Sequence, residues 1–406
     1  MVQRRFTYQE NLLRWSKQQK NLLTKHTTIL AIVLGTILVS APLWVDITKP
    51  VPVVEKEEDA VITATFVGDM MFGRYIENVT NRKGYDFLFK YTDPYFQASD
   101  FATGSFKHPI ISEESQRTPA EDKQITFSAK PDSVHALKER NFKSVSIANN
   151  NIYDYGYLGL RDTMSFFAND AQIAAAGTMM DREDTDNAVY YEHDNGMTVA
   201  TIGITDIWAA NSAATTFRPG VVPLDPPDLA IRSIVNAATN AELVVVHVHW
   251  GEPYDSHVSE RQQQLAHAMS HAGADIIIGH YPHVLAPVEV YNDTVIFYSL
   301  GNFIFDQGWT RTKQTALAQY NLYEDGRAEV ELVPFVIREG QPRPVNTWGY
   351  RQASITRMLT KNLDKSLWQE VEGKVKFNLN HERVLQAPTP QDETVLKEIL
   401  DSLEAR

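Results

Sequence analysis

Two apolar runs, LVVVHVHWG at 243–251 and DIIIGHYPHV at 275–284, constrain this chain more than any other feature. Each is short, rich in β-branched residues and uncharged through its centre, the pattern of a strand buried on both faces. Such strands need helices to cover them, and residues 259–272 between the runs carry an amphipathic helical pattern. Similar short runs at 61–67, 143–148, 198–204, 288–291 and 295–300 alternate with helical patterns at 133–141, 157–169 and 228–240. The chain therefore reads as an α/β protein.

Late in the sequence the rhythm changes to hairpins. Asn292-Asp293 separates two β-branched runs, and Asp325-Gly326 does the same further on, which calls for a mixed sheet or two packed sheets. Beyond Gly340, with Pro342 and Pro344 close behind, the sequence turns polar, with helical patterns at 355–363 and 394–403. The expected layout is a main domain at 61–338 and a C-terminal tail with helices at 339–406.

The N-terminal end has a different character. Residues 27–45 are nineteen residues without a charge, near the length a helix needs to cross about 30 Å of hydrocarbon. Six basic residues and one acid precede them, so the remainder holds 32 basic against 50 acidic residues, a net charge of −18 within a total of −13. That asymmetry predicts a cytoplasmic tail at 1–26, one transmembrane span at 27–45, a Pro-rich and charged linker at 46–60, and a large domain outside the cell membrane. A cleaved signal peptide is the competing reading, and Pro42 directly after Ala41 disfavours cleavage there. The acidic remainder excludes a generic nucleic-acid binder.

With no cysteine in the chain, any metal must be held by oxygen or imidazole ligands. Seven of the twelve histidines fall between 247 and 283. His267 and His271 lie off the apolar face of the 259–272 helix, and His257 lies in a loop, so none of these is a site candidate. His247, His249, His280 and His283 stand at or just beyond the ends of two buried strands, where open α/β sheets present residues to a ligand crevice. Asp69 ends the first strand in GDMMFGR, and Asn149, Asn150 and Asn151 follow another. Aspartate, asparagine and several histidines at neighbouring strand ends are ligands suited to Mn, Fe, Zn or Mg. A helix-cap aspartate and an asparagine turn are the plain alternatives.

In order along 61–337, the segments GDMMFGR, FATGSFKHPI, IANNNIYDYG, HWGEPY, GADIIIGHYPHVLAPVEVY and IFYSLGNFIFDQGWTRT resemble the CapA/PgsA family of poly-γ-glutamate capsule synthesis proteins. The resemblance implies a calcineurin-like metallophosphoesterase-type fold, a four-layer α/β/β/α sandwich with its site at strand ends. Carried over by position, the family pattern falls on Asp69, Lys107, Asn150 with Asn151, His249, His280 and His283. Two of these depart from it. Lys107 stands where the family usually has Glu, and Asn151 where it usually has His after Asn150. Tyr281 also stands where a histidine is frequent.

An ammonium at about 4 Å would repel a divalent ion by about 8 kcal/mol at an effective dielectric near 20, an upper-end figure. Asn151 does not titrate near neutrality, so it cannot act as a general acid. The expectation is a degenerate site with at most one divalent ion on some subset of Asp69, Asn150, His249, His280 and His283. Arg74, Lys107 and Arg311 are the candidate polymer contacts. By resemblance, the partners are an amide ligase and a small multi-span protein of the membrane synthase, together with the poly-γ-glutamate polymer. A working phosphoesterase or amide hydrolase, using Asn150, Asn151 or His249 in catalysis, and a non-catalytic scaffold are the alternatives.

Overall fold

The computed structural model describes residues 7–47, 50–112, 118–119, 126–179, 187–215, 218–346, 349–388 and 393–404. It divides into two units, residues 1–51 and 52–406, each described separately. The first is one helix, Tyr8–Ile47, of forty residues. Along it Ile29, Leu30, Ile32, Val33, Leu34 and Ile37 are exposed. Among the described residues, no helix is long and apolar enough to cross a membrane. The side chains of residues 38–49 lie outside the description, and with them the second half of the span expected at 27–45.

In chain order the strands of the second unit are β1 (Ala60–Met70), β2 (Phe101–Phe106), β3 (Ser144–Ser146), β4 (Ala174–Ala176), β5 (Thr178–Met179), β6 (Val189–Glu192), β7 (Thr198–Thr205), β8 (Gly220–Val221) and β9 (Leu243–His249). There follow β10 (Ile276–His280), β11 (Val288–Tyr291), β12 (Thr294–Phe297), β13 (Asn302–Ile304), β14 (Gln314–Tyr323), β15 (Arg327–Arg338), β16 (Gln341–Pro344), β17 (Trp368–Val371) and β18 (Lys374–Asn380). The larger sheet runs β17-β18-β15-β14-β1-β2-β3-β4, with β13 beside β1 and β16 beside β15. The smaller runs β11-β12-β10-β9-β7-β6.

Three apolar clusters set the layers. Ile62, Ala64 and Phe66 of β1 share one cluster with Val245 of β9, Ile276 and Ile278 of β10 and Phe297 of β12, so the two sheets pack face to face. A second joins the other face of the large sheet to helices Arg74–Lys83, Asp132–Lys138 and Gly156–Ser165 through Ile76, Val79, Val134, Leu137 and Leu160. A third joins the small sheet to helices Asp228–Ala238 and Glu260–His271 through Ile231, Ile234, Leu265 and Met269. The order is helix, sheet, sheet, helix, as the family resemblance implied.

The expected strands appear with ends moved by a few residues, and β2, which no apolar run announced, pairs in parallel with β1. The Asn292-Asp293 hairpin forms with both residues at positive φ, 47° and 62°, the geometry of a tight primed turn. In the 339–406 segment the expected helices form, at Tyr350–Leu359 and Glu393–Glu404, and strands form beside them that the sequence pattern did not announce. β18 pairs antiparallel with β15 and extends the large sheet, burying Val375, Phe377 and Leu379 while the residues between them face outward. That period-two alternation reads as polar only because lysines and asparagines occupy its outer face. Its last helix, Glu393–Glu404, lays Ile399 against the cluster that covers the small sheet.

Candidate functional site

The carboxyl ends of β1, β2, β9 and β10 converge. Gly68 precedes Asp69 because a Cβ there would lie 2.0 Å from the Gly301 carbonyl oxygen, which accepts the Asp69 amide at 3.0 Å. β2 runs parallel to β1 with Met70 opposite Phe106, and the Lys107 amide donates to Met70 O at 3.0 Å. Lys107 therefore emerges beside Asp69. β9 and β10 are parallel with His249 opposite His280, so both imidazoles reach the same end. After β10 the backbone turns through Tyr281 at φ 93° and His283 at φ 57°, a conformation L-residues rarely adopt, and this brings His283 back toward Asp69.

The resulting cluster is buried. Asp69, Lys107, His249 and His280 are each 1–2% exposed, and His283 is 9% exposed. Lys107 Nζ lies 3.0 Å from His249 Nε2 and 3.9 Å from Asp69 Oδ2, with its charge 5.3 Å from the centre of the Tyr281 ring. An ammonium has only protons to give, so toward Lys107 the His249 Nε2 can act only as an acceptor. Asn150 Oδ1 is 3.2 Å from the same Nε2. His280 Nδ1 lies 3.2 Å from Asp69 Oδ1, and its Nε2 is 2.9 Å from His247 Nδ1, with the two rings stacked. His247 Nε2 is held by Thr103 Oγ1 at 2.9 Å. His283 Nδ1 donates to Asn302 Oδ1 at 2.8 Å and lies 3.7 Å from Asp69 Oδ2.

Charge follows from this packing. Burial pushes the Asp69 carboxyl up, but the Lys107 ammonium and His280 outweigh it and hold the group well below the usual carboxylate range. Burial, then Lys107, lowers His249 well below its ordinary value and brings His283 down to about 4. His247 is lowered by burial and then by His280. The cluster thus sets an ionised Asp69 beside Lys107, with His247, His249 and His283 held toward the neutral form.

Of the residues singled out in the sequence, Asp69, Lys107, Asn150, His249, His280 and His283 meet here. Asn151 turns away and donates through Nδ2 to Asp154 Oδ2 at 3.1 Å, while Asn149 caps the turn by accepting the Asn151 and Ile152 amides. Arg74 pairs with Asp306 at 3.2 Å, and Arg311 donates to Tyr254 O at 3.1 Å on the outer rim. Lys107, offered as a polymer contact, points inward and is buried. His267 and His271 contact Glu289 and Tyr291 instead, away from the cluster. Thr103 and Asn302, which orient His247 and His283, were not anticipated; the Gly301-Asn302 pair at the start of β13 was the available signal for one of them.

A divalent ion is what the fold implies at this place. Both Asp69 oxygens are buried, a carboxylate setting that suits a cation. Yet among the described residues no three His, Asp or Glu side chains are grouped to hold a metal. Lys107 Nζ lies 3.0 Å from His249 Nε2 and 3.9 Å from Asp69 Oδ2, so an ion shared by those two groups would lie against an ammonium. As arranged, the residues do not fit a divalent ion.

Two sheets packed face to face between helices, with a carboxylate and imidazoles gathered at their strand ends, define an α/β/β/α domain with a polar centre at its strand ends. Residues 63–307 match the family model described as bacterial capsule synthesis protein PGA_cap, and the chain belongs to that family. It is 43% identical over 381 residues to the PGA biosynthesis protein CapA of Bacillus subtilis, covering 94% of this chain and 98% of that one. To the capsule biosynthesis protein CapA of Bacillus anthracis it is 42% identical over 390 residues, covering 95% and 94%. A solved structure, the calcineurin-like phosphoesterase YfkN from Bacillus subtilis, aligns over 85% of this chain and 97% of that one at 13% identity with a TM-score of 0.38. At that score the likeness carries no argument, and the layer order rests on the sheets and cores themselves.

Proposed function

We propose that this protein is an accessory subunit of poly-γ-glutamate synthesis and export, anchored in the cell membrane by its N-terminal helix, whose metallophosphatase-type site no longer hydrolyses. The observation that carries the loss of hydrolysis is the Lys107 ammonium 3.0 Å from His249 Nε2, inside a cluster where two-metal chemistry needs a carboxylate. The Asn151 side chain, which does not titrate and donates to Asp154, supports it. The end-to-end likeness to two capsule biosynthesis proteins supports the polymer.

Anchoring is supported by the uncharged run at 27–45, by the basic residues before it, and by the forty-residue helix with its exposed apolar side chains. On this reading the large domain lies outside the cell and works with the membrane ligase and multi-span subunits. With a net charge of −18 beyond residue 45, it does not hold a polyanion by bulk attraction; local cations such as Arg74 and Arg311 on the rim make the contact.

The test is genetic and biochemical. Deleting the gene in a producing cell should abolish surface poly-γ-glutamate, the full chain should restore it, and a chain lacking residues 7–47 should not. Undiminished polymer in the deletion strain refutes the role. Protease shaving of intact cells should remove the large domain, and its full protection refutes the topology. Metal-dependent phosphodiester hydrolysis by the purified chain would establish the hydrolase instead.

A further inference from the structure

A degenerate metal site can end as an empty relic or as a site refilled by something else. Three observations favour the second. Lys107 is buried to 2% exposure, although a lysine at a strand end could reach solvent along its own flexible stem. Its backbone is fixed by the hydrogen bond its amide donates to Met70 O, so the inward direction belongs to the sheet. Its Nζ meets a neutral imidazole at 3.0 Å, a carboxylate oxygen at 3.9 Å and an aromatic face at 5.3 Å, three partners that suit an ammonium.

The anion side matches. Asp69 is 1% exposed, and its oxygens face His280 at 3.2 Å, His283 at 3.7 Å and Lys107 at 3.9 Å. A buried carboxylate in that state requires a nearby cation. Metal–ligand distances of about 2.0–2.2 Å to imidazole and carboxylate would put an ion on His249 and Asp69 within contact distance of Nζ, so the two cations exclude one another. Tyr281, held at φ 93°, lays its ring 4.9 Å from that of His249 and covers the ammonium.

We propose that Lys107 is the resident cation of this centre. Its ammonium takes the place of a divalent ion, balances Asp69, and ties the ends of β1, β2 and β9 together, making the domain independent of metal and indifferent to chelators. The proposal deepens the reading of a non-hydrolytic site and rests on it.

The experiment uses the purified full chain in detergent, grown with Mn, Zn and Fe supplied, with metal analysis and thermal unfolding in EDTA or in excess MnCl2. The wild type should carry less than a tenth of an equivalent of any of the three metals, and its Tm should not move in either solution. Lys107→Met should lower Tm by several degrees, because it strands the Asp69 charge, and adding Asp69→Asn to it should recover most of that loss. Lys107→Glu should gain a Tm increase with MnCl2 that the wild type lacks. One or more equivalents of metal in the wild type, a Tm that falls in EDTA, or a Lys107→Met chain as stable as the wild type would each overturn the proposal. A soluble Lys107→Glu chain indifferent to MnCl2 would count against it as well. Metal-free protein that hydrolyses phosphodiesters would instead defeat the non-hydrolytic reading and leave the resident cation standing, so the two failures are distinct.

Discussion

His108, next to Lys107, offers the most quantitative prediction. It is fully buried, and its Nε2 accepts the Phe72 amide at 2.7 Å, pinning the loop that follows Asp69. Burial lowers its pKa from 6.5 to about 3. The group is neutral in the fold but free to charge when unfolded, so the unfolded chain binds more protons between those values and stability rises with pH there. The contribution is complete above about pH 6.5 and is lost as pH falls toward 3. At pH 5 an unfolded imidazole is almost fully protonated and the buried one almost not at all, a cost of about 2 kcal/mol relative to pH 7.5. Replacing His108 by Gln keeps an acceptor for the Phe72 amide and removes the titration. In urea unfolding followed by tryptophan fluorescence, the stability of the wild type minus that of His108→Gln should therefore fall by about 2 kcal/mol between pH 7.5 and pH 5. His247, His249 and His283 carry losses of the same sign, but they are common to both proteins and drop out of the difference. A difference that stays flat across that range would show that His108 is not buried neutral, and the linkage argument would fail.

Three further outcomes test the architecture. Phe377→Ala, in β18, should lower stability by about 3–5 kcal/mol in the same urea assay if the C-terminal segment belongs to the sheet, and by almost nothing if it is a loose tail. Gly279→Ala should yield no soluble protein on expression, because a Cβ there would stand 2.0 Å from the Tyr298 carbonyl oxygen. Asn302→Ala removes the acceptor that orients His283 and should cost about 1–3 kcal/mol in thermal or urea unfolding, with no effect on the strands around it.

How far the fold could be read from sequence varied with what each strand buries. β9 and β10 were plain because both faces are covered and the runs are continuous. β2 was not, because FATGSF holds small and hydroxylated residues: Gly104 packs its backbone on Val67, and Thr103 reaches His247. β18 was hidden for the opposite reason, an outer face of lysines and asparagines over an inner face of Val375, Phe377 and Leu379. Pattern reading sees apolar density before it sees alternation, so half-exposed late strands look like tail.

The site was legible as a set of residues but not as an arrangement. Strand ends announced Asp69, His249 and His280, since a polar residue closing a buried run has few other reasons to be there. Lys107 and Asn151 stood out as departures, and from charge alone Lys107 could only be counted as a repulsion against an ion. Its geometry reverses that sign. With His249 neutral and Asp69 ionised, the ammonium is an attractive partner inside the cluster, and the same charge that would expel a metal stabilises the carboxylate the metal would have used. On the proposal that Lys107 takes the place of the ion, loss of the ion and gain of the lysine are one event. This also explains why the rest of the ligand set can survive without a metal, because Asp69 still needs a cation and the imidazoles still line the place where it sits.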